Sequence, residues 1–129
     1  MNDKQLQLVS FSQAKRLKAA GFDWEIYEYY LPNGAFVDGG MRENFNRTRD
    51  YFSAPTVALA LKWMRDVKGI KFTINLDYAY ENGLKVYYYE HRIEYAYGIY
   101  TSKQFRTFHE KHAYKAAESA LLDKLLDIL

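Results

Sequence analysis

Two histidines stand three residues apart in His109-Glu110-Lys111-His112. A zinc-protease helix needs them four apart, so that both imidazoles face one metal with the glutamate beside them. The spacing here misses that geometry and no third ligand is evident, so the segment reads as a solvated linker ahead of the last helix. Glu90, His91 and Glu94 form a second group able to exchange protons. Neighbours on a strand point to opposite faces, so Glu90 and His91 cannot converge simply on one substrate. Carboxylates on such a strand read instead as cross-strand partners of lysine and arginine. Gly39-Gly40 lacks the flanking pattern of a phosphate cradle and reads as a flexible loop. No Gly-x-Ser-x-Gly elbow is present, and the three histidines suggest no triad. The absence of cysteine removes thiolate nucleophiles, disulfides, zinc ribbons and iron–sulfur ligation. No catalytic, metal or cofactor-binding residue is assigned, and the expectation is a non-enzymatic protein without a cofactor.

The chemistry that is left is that of contact. The chain holds 13 tyrosines against 2 prolines. The tyrosines gather at Tyr27 to Tyr30, Tyr78 to Tyr80, Tyr87 to Tyr89 and Tyr95 to Tyr100. Tyrosine favours strands and half-buried surfaces. If Leu84, Val86 and Tyr88 point inward, Tyr87 and Tyr89 point outward beside Lys85, with Lys71, Thr73, Asn75 and Asp77 on the facing strand. Such a face suits a protein partner or self-association, because tyrosine gives large area at low entropic cost. It could also stack unpaired bases of a single-stranded nucleic acid. A third reading is that another segment covers the rings. Arg42, Arg47 and Arg49 are a second candidate contact set, suited to carboxylate or phosphate.

These residues need elements to hold them. A helix is expected over about Phe11 to Ala20, with a Ser10/Gln13 capping box and a stop at Gly21. Trp24 to Tyr30 is a strand, Leu31-Pro32-Asn33-Gly34 a turn and Ala35 to Val37 the return strand. Asp38 to Ser53 shows no period and reads as a long loop, anchored by Tyr51 and Phe52 and mobile in its middle. A second helix begins at Pro55 and presents Val57, Ala60, Leu61, Met64 and Val67. Ile70 to Tyr78 alternates as a half-buried strand, and Asn82-Gly83 turns it into Leu84 to Glu90. Ile93 to Tyr100 alternates again. Phe105 to His109 is open between strand and helix. The last helix spans about Ala113 to Leu129 with a broad leucine stripe, a core face that could extend into a dimer contact.

The expected fold is α+β: an antiparallel sheet with three helices mainly on one face. Helix, glycine, strand, Asn-Gly and strand occur twice in order, so the chain also reads as two α-β-β units plus a C-terminal helix. With 129 residues it is expected to be a single domain over 1–129, with Ile70, Phe72, Ile74 and Leu76 meeting Leu61, Met64 and Leu121 in one core. Formal net charge is +2, weak for a duplex DNA binder. No apolar run approaches the roughly 20 residues of a membrane helix. Met1 to Val9 is polar and mixed in charge, so no secretory signal is expected. The glycosylation pattern Asn46-Arg47-Thr48 therefore reads as chance. Together with the missing cysteines, this points to a cytoplasmic protein with no membrane partner.

Three stretches carry a resemblance. They are Ser10 to Phe22 (SFSQAKRLKAAGF), Ala54 to Ile70 (APTVALALKWMRDVKGI) and Ala113 to Leu126 (AYKAAESALLDKLL). Their order resembles small uncharacterised proteins of bacteriophages and bacterial mobile elements, over about half the chain. The likeness lies in the helices. It implies a phage or mobile-element origin and an accessory role, and brings no activity or ligand with it.

Overall fold

The computed structural model describes residues 7–95, 98–101, 105–107 and 110–129. The fold is α+β, and the described residues form three helices and two antiparallel sheets in place of the single sheet expected. The elements follow the order α1 (Phe11–Ala20), β1 (Ile26–Tyr30), β2 (Phe36–Glu43), a 3-10 turn (Phe45–Arg47), β3 (Phe52–Ser53) and α2 (Val57–Asp66). After them come β4 (Lys71–Glu81), β5 (Leu84–Tyr95), β6 (Gly98–Thr101), β7 (Phe105–Thr107) and α3 (Glu110–Ile128). Helix-strand-strand does occur twice ahead of a closing helix. The chain divides into two compact units, one of residues 1–63 with 122–129, the other of residues 64–121. Among the described residues no helix is long and apolar enough to cross a membrane.

In the first unit β1 is the central strand, with β2 and β3 on either side. Helix α1 starts as its sequence dictates. The Gln13 amide N–H donates to Ser10 Oγ at 3.1 Å, and the Ser10 N–H donates to Gln13 Oε1 at 2.9 Å. Gln13 Nε2 donates onward to Asp123 at 3.0 Å, and Arg16 pairs with Asp127. Phe22 and Trp63 are both buried, with ring centroids 5.4 Å apart. Helix α2 begins two residues after Pro55. The Pro55 carbonyl accepts from Val9 N–H and Thr56 bridges to Leu8, which holds this stretch extended. Thr56 is the cap, its Oγ1 accepting from Leu59 N–H at 3.1 Å. The helix ends at Asp66, so Val67 lies beyond it and is exposed.

The expected loop from Asp38 to Ser53 is built structure. Strand β2 continues to Glu43, and its pairing with β1 steps from Glu28↔Asp38 to Ile26↔Glu43, so the intervening residues of β2 bulge. Gly39 sits in that bulge because nothing larger fits. A Cβ there would lie 2.9 Å from Phe45 Cζ and 3.0 Å from the Tyr27 carbonyl oxygen. Gly39→Ala should therefore lower the unfolding free energy by about 1–3 kcal/mol in urea titration, since backbone cannot yield as a side-chain tip can. An unchanged midpoint would remove this role. The Tyr29 ring lies between Phe45 and Tyr51, 4.5 Å from each centroid.

In the second unit β4 and β5 form a long hairpin. Pairing runs unbroken from Lys71↔Glu94 to Glu81↔Leu84, across a turn with Asn82 at φ 50° and Gly83 at φ 79°. Both central residues left-handed is the two-residue turn whose twist matches that of the strands, and Asn-Gly tolerates it best. The second hairpin strand is longer than expected. Ile93 belongs to β5, which runs to Tyr95, and β6 begins at Gly98 and pairs back onto it. The expected strand over Ile93 to Tyr100 is thus two strands. Phe105–Thr107 is a strand, pairing with Tyr87 to Tyr89.

Candidate interaction surface

Residues directly paired across a ladder share a face. Tyr80 pairs with Lys85, Tyr78 with Tyr87, Leu76 with Tyr89, Ile74 with His91 and Phe72 with Ile93. One face of the hairpin therefore carries Phe72, Ile74, Leu76, Tyr78 and Tyr80 of β4 with Tyr87, Tyr89 and Ile93 of β5. The reverse face carries Lys71, Thr73, Asn75 and Asp77 opposite Glu94, Arg92, Glu90 and Tyr88. The grouping of Tyr87, Tyr89 and Lys85 with Lys71 on one open face is thus corrected. Lys71 lies on the other face, at the far end of the hairpin from Lys85.

The aromatic face changes along its length. Near the base it is covered: Tyr89 is only 7% exposed and clusters with Ala117 of α3, with Ile74 and Tyr87 packed against the pair. Tyr89 does not face solvent, and Tyr87 does so only in part. His91 is buried beside Tyr89, ring centroids 5.7 Å apart. Burial holds its pKa below the ordinary value, against an opposing hydrogen bond to the Ala117 backbone. That ring is far from any role as a solvent-facing base. Glu94 is exposed, on the reverse face with Arg92 at 3.6 Å. These two, with Lys71, Phe72 and Thr73, line a shallow depression of about 240 Å³.

Toward the turn the same face is open. Leu76 is 37%, Tyr78 54% and Tyr80 68% exposed. Lys85 Nζ lies 4.2 Å from the Tyr78 ring centroid and 5.4 Å from that of Tyr87. Contact with Tyr87 raises the lysine pKa, so the ammonium stays charged over the rings. Tyr78 and Tyr80 meet edge to face at 6.1 Å. The open surface is therefore Leu76, Tyr78, Tyr80 and Lys85, with Tyr87 at its margin. Counting back from the Asn-Gly turn would have found it.

The arginines are exposed as expected, and all three belong to the first unit. Arg42, on β2, lines an open depression of about 340 Å³ with Asp23, Trp24 and Glu25. Two carboxylates beside the guanidinium weaken it as a site for an acidic partner. Arg47 and Arg49 project from a segment whose backbone is held from behind. Lys18 Nζ donates to the carbonyls of Thr48, Arg49 and Tyr51 at 2.7–2.9 Å, using all three of its hydrogens. The Asn46 amide donates to the Phe22 carbonyl and accepts from Ser53 N–H, both at 2.8 Å. Its use inside the fold also withdraws the Asn46-Arg47-Thr48 pattern from glycosylation. His109 lies outside the described residues, as does the His112 side chain. No family model, no curated protein and no solved structure matches this chain.

Proposed function

We propose that this chain is a non-catalytic interaction protein, an accessory factor of phage or mobile-element origin, that binds protein through the outer half of its β4–β5 hairpin. The observation that supports this is the run of exposed Leu76, Tyr78 and Tyr80 under a charged Lys85. Rigid rings with a polar tip gain contact area at small entropic cost. The phage or mobile-element origin rests on the resemblance of the three helical stretches, and a chain without cysteine suits the cytoplasm.

A second reading is a single-stranded nucleic-acid binder, favoured by one observation: an ammonium held over exposed rings is the pairing that meets phosphate and base together. The edge-to-face arrangement of Tyr78 and Tyr80 gives it no parallel stacking platform. Titration of a labelled oligonucleotide separates the two. The protein-binding reading expects no binding at micromolar protein and low salt. Binding that weakens steeply with salt, and that Tyr78→Ala and Tyr80→Ala lower by about 1–3 kcal/mol per stacked base, would replace it. A panel of hydrolase and metal-dependent substrates should be silent. Robust turnover lost in His109→Ala or Glu94→Ala would overturn the non-catalytic assignment.

A further inference from the structure

We infer that the partner of the open hairpin is a second copy of this chain, paired antiparallel along β4 about a two-fold axis at Leu76. This inference rests on the protein-binding reading and names its partner. Strand β4 is a sheet edge: it pairs with β5, and no other described strand lies beside it. Glu81 and Leu84 close a two-residue turn and so form a hydrogen-bonded pair. Alternation along the ladder then aims the odd-numbered residues of β4 at β5. The even-numbered ones, Phe72 to Tyr80, turn their N–H and C=O outward. One outward amide shows the consequence, for Tyr78 N–H donates to the carboxylate of the preceding residue, Asp77, at 2.7 Å.

Soluble proteins blunt such edges with proline, a bulge, a short strand or a charge beside the apolar row. Strand β4 has 11 residues, no proline and no break in register, and its own charges lie on the reverse face or at its ends. What it has is self-complementarity. An axis at Leu76, the central residue, pairs the whole strand with its copy. Lys71 then faces Glu81 of the second copy, Phe72 faces Tyr80, Ile74 faces Tyr78, and Leu76 faces itself. Opposite charges meet at both ends and apolar or aromatic groups meet on one face, which are the favourable cross-strand pairs. Moving the axis to Asp77 would set that carboxylate against itself. About ten backbone hydrogen bonds form, and the exposed rings become one continuous row across both copies. Such an interface is isologous and closed, so it ends at a dimer.

Sedimentation of the full chain from about 1 to 100 µM should give twice the monomer mass, with dissociation at the low end. Leu76→Pro removes an outward N–H and leaves the β5 ladder intact, so it should give a monomer with the wild-type circular dichroism. Should that variant fail to fold, Leu76→Lys sets two ammonium groups on the axis and should give the same result. The chain has no native cysteine, so single-cysteine variants read the register. Leu76→Cys should oxidise to a disulfide-linked dimer, because paired Cα atoms there lie about 5.5 Å apart. Tyr80→Cys should not, while Phe72→Cys with Tyr80→Cys should. A dimer indifferent to Leu76→Pro and Leu76→Lys and unlinked by Leu76→Cys would place self-association elsewhere and overturn the inference. A monomer at every concentration would overturn it too. The protein-binding reading then survives only if a photocrosslinker at position 80 captures a different protein. With no capture, both fail.

Discussion

Asn46→Asp should lower the unfolding free energy by about 2–3 kcal/mol and open the chain to trypsin at Arg47 and Arg49. The Asn46 side chain joins two backbone groups from different parts of the first unit. Its Nδ2 donates to the Phe22 carbonyl and its Oδ1 accepts from Ser53 N–H, each at 2.8 Å. A carboxylate keeps the second bond and destroys the first. It also sets a negative oxygen against the Phe22 carbonyl oxygen, which is worse than an empty place. The Lys18 bonds to Thr48, Arg49 and Tyr51 close the segment from the other side. Wild-type protein should therefore resist trypsin at these arginines, because a protease needs several residues of extended, released backbone. Urea titration with a parallel proteolysis time course checks both parts. Prompt cutting of the wild type, or a variant as stable and as resistant as the wild type, would show that these bonds do not hold the segment.

This segment was the least legible part of the sequence, and the reason is physical. Asp38 to Ser53 has no hydrophobic period because its order comes from polar side chains reaching distant backbone. Nothing local to Asn46 announces that it bridges Phe22 and Ser53, or to Lys18 that it gathers three carbonyls more than 29 positions away. Gly39-Gly40 was visible, but as freedom. In the folded chain Gly39 is there for lack of room, since the Phe45 ring and the Tyr27 carbonyl occupy the place of a side chain. Helix α1 was legible to the residue, because its cap and its stop are local chemistry.

The hairpin shows a different kind of limit. Its turn could be read from Asn82-Gly83, and the first strand with the exposed row Lys71, Thr73, Asn75 from alternation, while the second strand was legible only as far as Glu90 of its run to Tyr95. The face of Tyr87 and Tyr89 could not be read from β5 alone, where Val86 and Tyr89 are both buried though they point to opposite faces. Alternation fails on a strand that is packed on two sides, as it does for continuous apolar strands in general. Register succeeds, because a two-residue Asn-Gly turn sets Tyr78 opposite Tyr87 and Leu76 opposite Tyr89. A register wrong by one residue moves every side chain to the other face. That is why Tyr89 fell among the candidates and the more exposed Tyr78 and Tyr80 did not.

His91→Gln should remove an acid-side loss of stability that the wild type shows as pH falls below about 6.5. The His91 ring is buried, and that burial holds its pKa below the ordinary 6.5 while the Ala117 backbone bond pulls the other way. The sign follows from which state takes the proton first. In the unfolded chain the imidazole protonates near its ordinary value, and in the folded chain only at lower pH. The unfolded state thus binds more protons in between, and stability falls as pH falls through that window, by at most about 1.4 kcal/mol per pH unit. Above the window the ring is neutral in both states and the slope vanishes. Glu118, next to Ala117 on α3, has its carboxyl pKa raised by burial and works oppositely, stabilising the fold at low pH and losing that as pH rises. Its share is present in both proteins, so the difference between the two profiles belongs to the imidazole. Glutamine can still donate an N–H to the Ala117 carbonyl, yet it does not titrate. The variant should be less stable than the wild type at pH 8, by about 1 kcal/mol for imperfect packing beside Tyr89, and the gap should narrow as pH falls below the ordinary histidine value. Unfolding free energies from urea titrations at half-unit steps give both profiles. Parallel curves would mean that His91 protonates equally in the folded and unfolded chain, and that its ring is open to water.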